Sequence, residues 1–589
     1  MTTVVSDLRR TAALAPTDAG TWSGLAAAYS RVAAFHPAAA AFARHVALDP
    51  GDAIARVNRA NALKRLARNL EAEKSLRRAL TLAGSLGPAS ESLANTAWIL
   101  GRTREARLHY VRTLTTQPSN WRAKLGACIA ELPVLYDTEA EIFAARRHYA
   151  RSLAALSAWA ATAAAEDLAG LADAVGTVQP FFLAYQAHDD RELQHLYGRL
   201  VCQALAARHP DLSKPPPQRD RRPGDRLRVG LVSGFFRRHS VWKMALAGWV
   251  DALDRSRFEV TGYHTSQVAD DITAHAASRL DRFVTGTVDR AALARRIRDD
   301  QVDFLFYPEI GMDPVAAWLA ALKLAPVQSM TWGHPTTSGY PTIDLFLSSD
   351  LMEPADADAH YVERLVRLPG LGCLYSPGTI APATLSRQDI GLGAEDVGYL
   401  CAQSLFKYLP KDDDLLIRIA DAVPLARFVF FSGPMPAITA AFVDRLSRRM
   451  RAAGHDPSFR LVMLPSLTES GFRGVARQVD VLLDSIGWSG FNSTIEVIEN
   501  GIPVVTLPGD SLRSRHTLAT LAKMGLGDMV AFDRADYVRR ATLLGLDRSL
   551  RRAEGSRIRL GLGRLFDDPA PIRAAEAAIV EACKAGSVR

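Results

Sequence analysis

Residues 484–509 read DSIGWSGFNSTIEVIENGIPVVTLPG. The apolar run Val479–Leu483 leads into them and ends on Asp484; small polar residues follow, then a short amphipathic segment, an Asn-Gly stop and a second apolar run from Pro503 to Leu507. This order predicts a strand, a loop, a helix that begins at Asn492, Ser493 and Thr494, and a second strand. Helix starts at strand ends are where α/β proteins hold phosphate, because unpaired amides and the helix dipole favour an anion there. The stretch therefore predicts an α/β domain with a phosphorylated ligand.

Outward from it, short β-branched runs alternate with helical segments over the last two thirds of the chain. Expected strands are Leu227–Val232, Phe258–Tyr263, Val302–Tyr307, Val327–Trp332 and Leu345–Ser348. A second series holds Val397–Cys401, Phe428–Phe431, Leu461–Leu464, Val479–Leu483 and Val504–Leu507. Such alternation predicts two doubly wound parallel sheets. Two lobes of this kind describe the GT-B layout, which glycosyltransferases share with some sugar epimerases and phosphorylases, so the fold leaves the reaction open. Before these lobes, the Pro- and charge-rich residues 214–224 mark a linker.

The front third repeats itself. Ala26, Ala60 and Ala94 are evenly spaced, Ala38, Ala72 and Ala106 keep the same step, and so does the bulky series Phe42, Leu76, Tyr110. A step of about 34 residues is the length of one helix–turn–helix repeat unit. Small residues belong where paired helices approach closely, with a bulky one filling the gap beside them. Trp22, Leu25, Ala26 and Tyr29 complete a signature that resembles the tetratricopeptide repeat, an all-α solenoid that binds partners in a groove. The expected domains are repeats over 1–120, a helical connection over 121–212 and the linker over 213–226. A first lobe covers 227–385 and a second covers 386–589.

Composition limits the alternatives. The chain has 589 residues, 48% hydrophobic and 23% charged, with a net charge of +8 and no Lys/Arg run interleaved with aromatics, so nucleic acid is not an expected partner. Five scattered cysteines without a CxxC pair predict a reduced, cytoplasmic protein with no zinc site. Asp7, Arg9 and Arg10 stand where a signal peptide needs an apolar core, and no membrane span is evident.

Several ordered motifs resemble the O-GlcNAc transferase (SPINDLY-like) family, which joins tetratricopeptide repeats to a GT-B region. They are the 484–509 stretch, Leu227–Ser233 followed by His239, Leu324–Gln328, Gly333–Gly339, Leu405–Lys407, and Pro508-Gly509 with Ser514-Arg515. The resemblance implies a bacterial member, and a similar layout occurs in flagellin glycosyltransferases that use a cytidine-linked nonulosonic acid. It puts the acceptor on the first lobe, 227–385, and the nucleotide sugar on the second, 386–589, and it places Lys407, next to Ser404, at the donor diphosphate, where a cation stabilises the departing nucleotide. It places Asn492, Ser493 and Thr494 at the phosphates, Glu496 at the ribose hydroxyls, Phe472 against the pyrimidine and Leu467 at its edge. His239, Glu309 and His334 are the catalytic candidates, with Asp313 offering a further carboxylate.

Structural alternatives stand beside these roles. Ser493 and Glu496 have capping-box spacing, Phe472 fits a core, His239 fits a hydrogen-bonded structural role, and Lys407 fits a solvated face beside Asp412, Asp413 and Asp414. Those three aspartates are expected to start the next helix rather than bind metal. Two departures from the family bear on sugar identity. Phe491–Glu496 differs from its usual His-Thr-Thr-Gly-x-Asp, and Arg282 replaces a histidine near the sugar.

The reading is an inverting, metal-independent protein O-glycosyltransferase without a cofactor, using a UDP-GlcNAc-like or CMP-linked donor. Its acceptor is Ser/Thr of a protein selected by the repeats. The alternatives are a flagellin glycosyltransferase using a CMP-nonulosonic acid donor, a tetratricopeptide adaptor with an inactive GT-B half and, third, a sugar-nucleotide epimerase.

Overall fold

The computed structural model describes residues 2–585 apart from 33, 85, 218, 223, 287 and 288. The chain divides into two compact units, Met1–Val134 with Met435–Ala437, and Leu135–Pro434 with Ile438–Arg589.

In the first unit, helix Thr2–Leu14 is followed by Ala19–Arg31, Ala53–Arg65, Gly87–Ile99 and Trp121–Ile129, the last four starting at one constant step. Their partners Phe35–Leu48, Asn69–Leu82 and Thr103–Thr116 keep the same step. Capping explains the phase: Asp18, Asp52 and Asn120 each accept backbone N–H groups of the turn they begin. At the remaining equivalent slot, after Leu86, a proline in the first turn does the work of a cap. All six phased alanines are buried, as are Phe42, Leu76 and Tyr110. Enlarging one alanine would cost about 1–3 kcal/mol by overpacking. The sequence reading ends the repeats at 120; the helix Trp121–Ile129 continues them, with buried Cys128 in the slot one step after Ala94.

The second unit begins before the linker. Helices Glu139–Ala160, Ala165–Ala174 and Arg191–Arg208 belong to it, so the units do not part at the Pro-rich stretch. The physical reason is close packing. An added Cβ at Gly198 would collide with the carbonyl oxygen of Gly339, a residue at φ +71°. Arg298 donates to Lys214 O (2.7 Å) and Arg219 pairs with Asp303 (3.2 Å). Gln218 and Pro223 of the linker lie outside the described residues.

Two parallel sheets form the body of this unit. The first has strands β1 (Leu227–Ser233), β2 (Phe258–His264), β3 (Arg282–Val284), β4 (Phe304–Tyr307), β5 (Val327–Thr331), β6 (Leu345–Ser349) and β7 (Arg364–Leu368), in the order β3-β2-β1-β4-β5-β6-β7. The second has β8 (Val397–Leu400), β9 (Ala426–Phe431), β10 (Leu461–Leu464), β11 (Val481–Leu483) and β12 (Val504–Val505), in the order β10-β9-β8-β11-β12. All ten expected strands form; β3 and β7 are additions to them. Both are edge strands, one very short and the other carrying arginines, so neither shows the apolar run of a strand covered on both faces. The C-terminal residues correct a boundary: Ile572, Ala575 and Ile579 of helix Ala570–Ala585 pack into the first lobe's core beside Val229 and Phe304. No helix among the described residues is long and apolar enough to cross a membrane.

Candidate functional site

Strand order locates the site. In an open parallel sheet ligands bind outside the carboxyl ends of the strands where the order reverses. In the first sheet that point lies between β1 and β4, which lead to His239 and Glu309. In the second it lies between β8 and β11, which lead to Lys407 and the 484–490 loop.

In the second lobe, Lys407 closes the 3-10 turn Leu405–Lys407 and its Nζ donates to Gln403 Oε1 (2.9 Å). Gln403 Nε2 donates to Ser493 Oγ (2.5 Å), so one amide ties the cation to the helix start. A Cβ at Gly490 would lie 2.5 Å from both Gln403 Nε2 and Thr494 Oγ1, and glycine leaves that path open. The ammonium also sits 5.0 Å above the Trp488 ring. Desolvation, opposed by Asp484, lowers the Lys407 pKa to about 8. Buried Asp484 accepts from Ser489 Oγ (2.6 Å), Gly490 N–H (2.7 Å) and Thr506 Oγ1 (2.8 Å), which fixes the loop. Ser404 is exposed beside Lys407.

The helix Asn492–Ile498 follows Phe491 with no side-chain cap, so the Ser493–Glu496 box does not form. Glu496 instead pairs with Lys243 of the first lobe (2.9 Å). Asn492 donates towards Ser240 O (3.4 Å), and its Oδ1 is buried without a partner. Thr494 is buried against Thr517 Oγ1 (3.2 Å), which makes it a packing residue of the loop. Phe472 is half-buried, its ring centroid 5.5 Å from that of Phe431, and Leu467 is exposed nearby on the chain.

The first-lobe candidates have restricted chemistry. His239 stacks on Phe235 (4.1 Å between centroids) and its Nδ1 accepts from Val241 N–H (3.1 Å). The neutral ring therefore carries its proton on Nε2 and is a donor. Burial and then Arg237 lower its pKa to about 4. Glu309 is fully buried; one carboxyl oxygen accepts from Gly234 N–H (3.1 Å) and the other has no partner. Burial, then Asp313, hold its pKa well above the usual carboxylate range, which favours the protonated form. Asp313 caps helix Pro314–Ala320. His334 stacks on Phe181 (5.3 Å) with its pKa lowered to about 3 by burial. Arg282 lies on the edge strand β3 and pairs with Asp300 (2.9 Å).

Some site residues had weak sequence signals. Phe181 and Tyr185, in the connecting turn Phe181–Gln186, form an aromatic wall: Tyr185 stacks on Trp488 (4.2 Å) and Phe181 on His334. Asp484 and Trp488 lay within the 484–509 stretch without a role, and Gln403 directly precedes Ser404. His516 donates through Nδ1 to Ser489 O (3.1 Å), leaves Nε2 buried without a partner, and has a pKa of about 4 from desolvation. The Asp412–Asp414 run is taken by arginines, Asp413 by Arg445 (3.0 Å) and both neighbours by Arg534 (2.6 Å each).

A tetratricopeptide solenoid joined to two parallel-sheet lobes, with a lysine-centred polar cluster at the second switch point, defines a repeat-bearing GT-B protein. The chain belongs to glycosyl transferase family 41, which matches residues 192–371 and 378–561. It is 29% identical over 373 residues to a probable UDP-N-acetylglucosamine–peptide N-acetylglucosaminyltransferase SPINDLY of Oryza sativa subsp. japonica, covering 62% of this chain and 38% of that protein. It is 25% identical over 280 residues to a UDP-glucose:protein N-beta-glucosyltransferase of Actinobacillus pleuropneumoniae, covering 46% and 43%. The chain thus matches under half the length of these relatives. A solved lysine-to-methionine mutant of Thermobaculum terrenum O-GlcNAc transferase shares the fold, with a TM-score of 0.69 over 97% of this chain and 99% of that one at 22% identity.

Proposed function

We propose that this protein transfers a sugar from a pyrimidine nucleotide donor, UDP- or CMP-linked, onto Ser/Thr of a protein acceptor, with inversion and without a metal. The observation that carries the reading is the Lys407–Gln403–Ser493 chain at the second switch point. Lys407 would meet the departing diphosphate (a phosphate, for a CMP-linked sugar), Gln403 would hold its Nζ in place, and Trp488 below would keep water out. Glu496 would accept from the ribose hydroxyls, Phe472 would stack on the base and Leu467 would offer its backbone to the base edge. Ser404 and Asn492 would border the phosphates.

The first lobe contributes donors rather than a base. His239 would offer Nε2–H, and burial favours the protonated form of the Glu309 carboxyl, so both are better placed to donate than to take the acceptor proton. The proton would leave to water or to the donor's own phosphate oxygens. His334 would shape the wall with Phe181 and Tyr185. The repeats would select the acceptor, flagellin being one candidate, in the cytoplasm. Calorimetric titration with UDP and with CMP tests the reading. Binding of one, abolished by Lys407→Met, supports it; binding of neither rejects it in favour of an adaptor with an inactive GT-B half.

A further inference from the structure

One cation crosses between the lobes at the candidate site. Lys243 lies in the π-helical turn Trp242–Leu246, shortly after His239, and buried Trp242 and Leu246 anchor that turn. Its Nζ donates to Glu469 Oε1 (2.7 Å) and Glu496 Oε1 (2.9 Å), which belong to two different helices of the second lobe. Glu469 begins the helix that carries Phe472, and Glu496 sits on the helix of the 484–509 stretch. Arg473 extends the alternation, 3.5 Å from Glu469 and 2.8 Å from Glu499. The three bridged side chains are partly buried, at 28%, 27% and 11% exposure, so this is a shielded network rather than a loose surface pair.

We infer that Lys243 is a positioning residue for the donor nucleoside, holding Glu496 as an oriented carboxylate and fastening the base-side helix to it across the cleft. The inference rests on the proposed pyrimidine-nucleotide site. An ionised carboxylate accepts from both ribose hydroxyls more strongly than a neutral carboxyl, and a carboxylate beside a second carboxylate in a buried place resists ionisation. Burial does raise the Glu496 pKa; Lys243 acts against it most strongly, Glu469 adds to it and Arg473 opposes it. The buried Tyr375 hydroxyl also feels the Glu496 charge. Without Lys243 the two glutamates would repel, and the base and ribose contacts would lose their common brace.

The test is calorimetric titration of the full chain with UDP and CMP, comparing wild type with Lys243→Gln, Lys243→Arg, Glu496→Gln and the double variant Lys243→Gln/Glu496→Gln. Lys243→Gln should raise the nucleotide Kd about tenfold to a hundredfold, the factor equivalent to about 1.5–3 kcal/mol for a hydrogen bond to a charged group. The loss should be larger at pH 6 than at pH 8, because Glu496 protonates more readily. Lys243→Arg should restore binding to within a few-fold. The double variant should bind no worse than Glu496→Gln, since Lys243 acts through that carboxylate. Melting temperatures identify any variant that merely unfolds. A Kd within twofold of wild type for Lys243→Gln, or additive losses in the double variant, overturns the inference. Binding of neither nucleotide by the wild type removes the functional reading and this inference with it.

Discussion

Replacing Lys407 with methionine should move activity and stability in opposite directions. The ammonium sits 2.9 Å from Gln403 Oε1 and 5.0 Å above the Trp488 ring, in surroundings that bring its pKa from 10.5 down to about 8. That drop corresponds to roughly 3 kcal/mol held against the charged form in the unliganded protein. Methionine fills the volume and relieves part of it, so the apo melting temperature should hold or rise. In the proposed reaction the same charge would stabilise the leaving group, and its loss should cost about 2.7–4 kcal/mol, a hundred- to thousandfold in kcat. The assay pairs transfer kinetics at saturating donor with thermal melting of the free protein. A variant with near-wild-type kcat would refute the leaving-group role. Parallel loss of activity and melting temperature would show Lys407 to be a structural cation.

Further outcomes rest on the same geometry. Raising the pH through about 8 deprotonates Lys407, so nucleotide affinity should fall there, read by calorimetry. Over the window from about 8 to 10.5 the unfolded chain binds the proton that the fold has lost, so Lys407 should make apo stability rise with pH, a trend Lys407→Met lacks. His239, neutral down to about pH 4, should give no inflection in kcat between pH 5.5 and 7; one that His239→Gln abolishes would restore it as the base. A chain starting at Leu135 should melt cooperatively and bind nucleotide yet fail to modify the protein acceptor. Starting at 223 would delete Phe181 and Tyr185 and should lose nucleotide binding too.

Legibility followed periodicity. The constant repeat step and the ten apolar strands are local patterns, and each appears in the structure because the residues that set it also fill the core. The 484–509 loop was legible for a related reason: strand end, small polar residues and helix start are consecutive. Lys243 was not, because its partners Glu469 and Glu496 lie far along the chain and only the lobe arrangement brings them together. Phe181 and Tyr185 lie inside the expected helical connection without a motif around them, and their rings pack against His334 and Trp488 of the two lobes. The Ser493–Glu496 spacing fitted a cap as well as a ligand contact; the cap does not form, and Glu496 pairs with Lys243 instead. Protonation states were equally hidden. His239 and Glu309 have residue types suited to base chemistry, and burial rather than sequence sets the forms they take.

The most direct test of the central claim is the intact mass of a flagellin acceptor co-expressed with the full chain and a source of UDP- and CMP-linked sugars. The account predicts added hexosamine or nonulosonate mass on Ser/Thr with the wild type and none with Lys407→Met. An unmodified acceptor with a wild type that is folded and binds its nucleotide would contradict transfer to that acceptor, and the same result across the Ser/Thr proteins of the host would contradict the transferase itself.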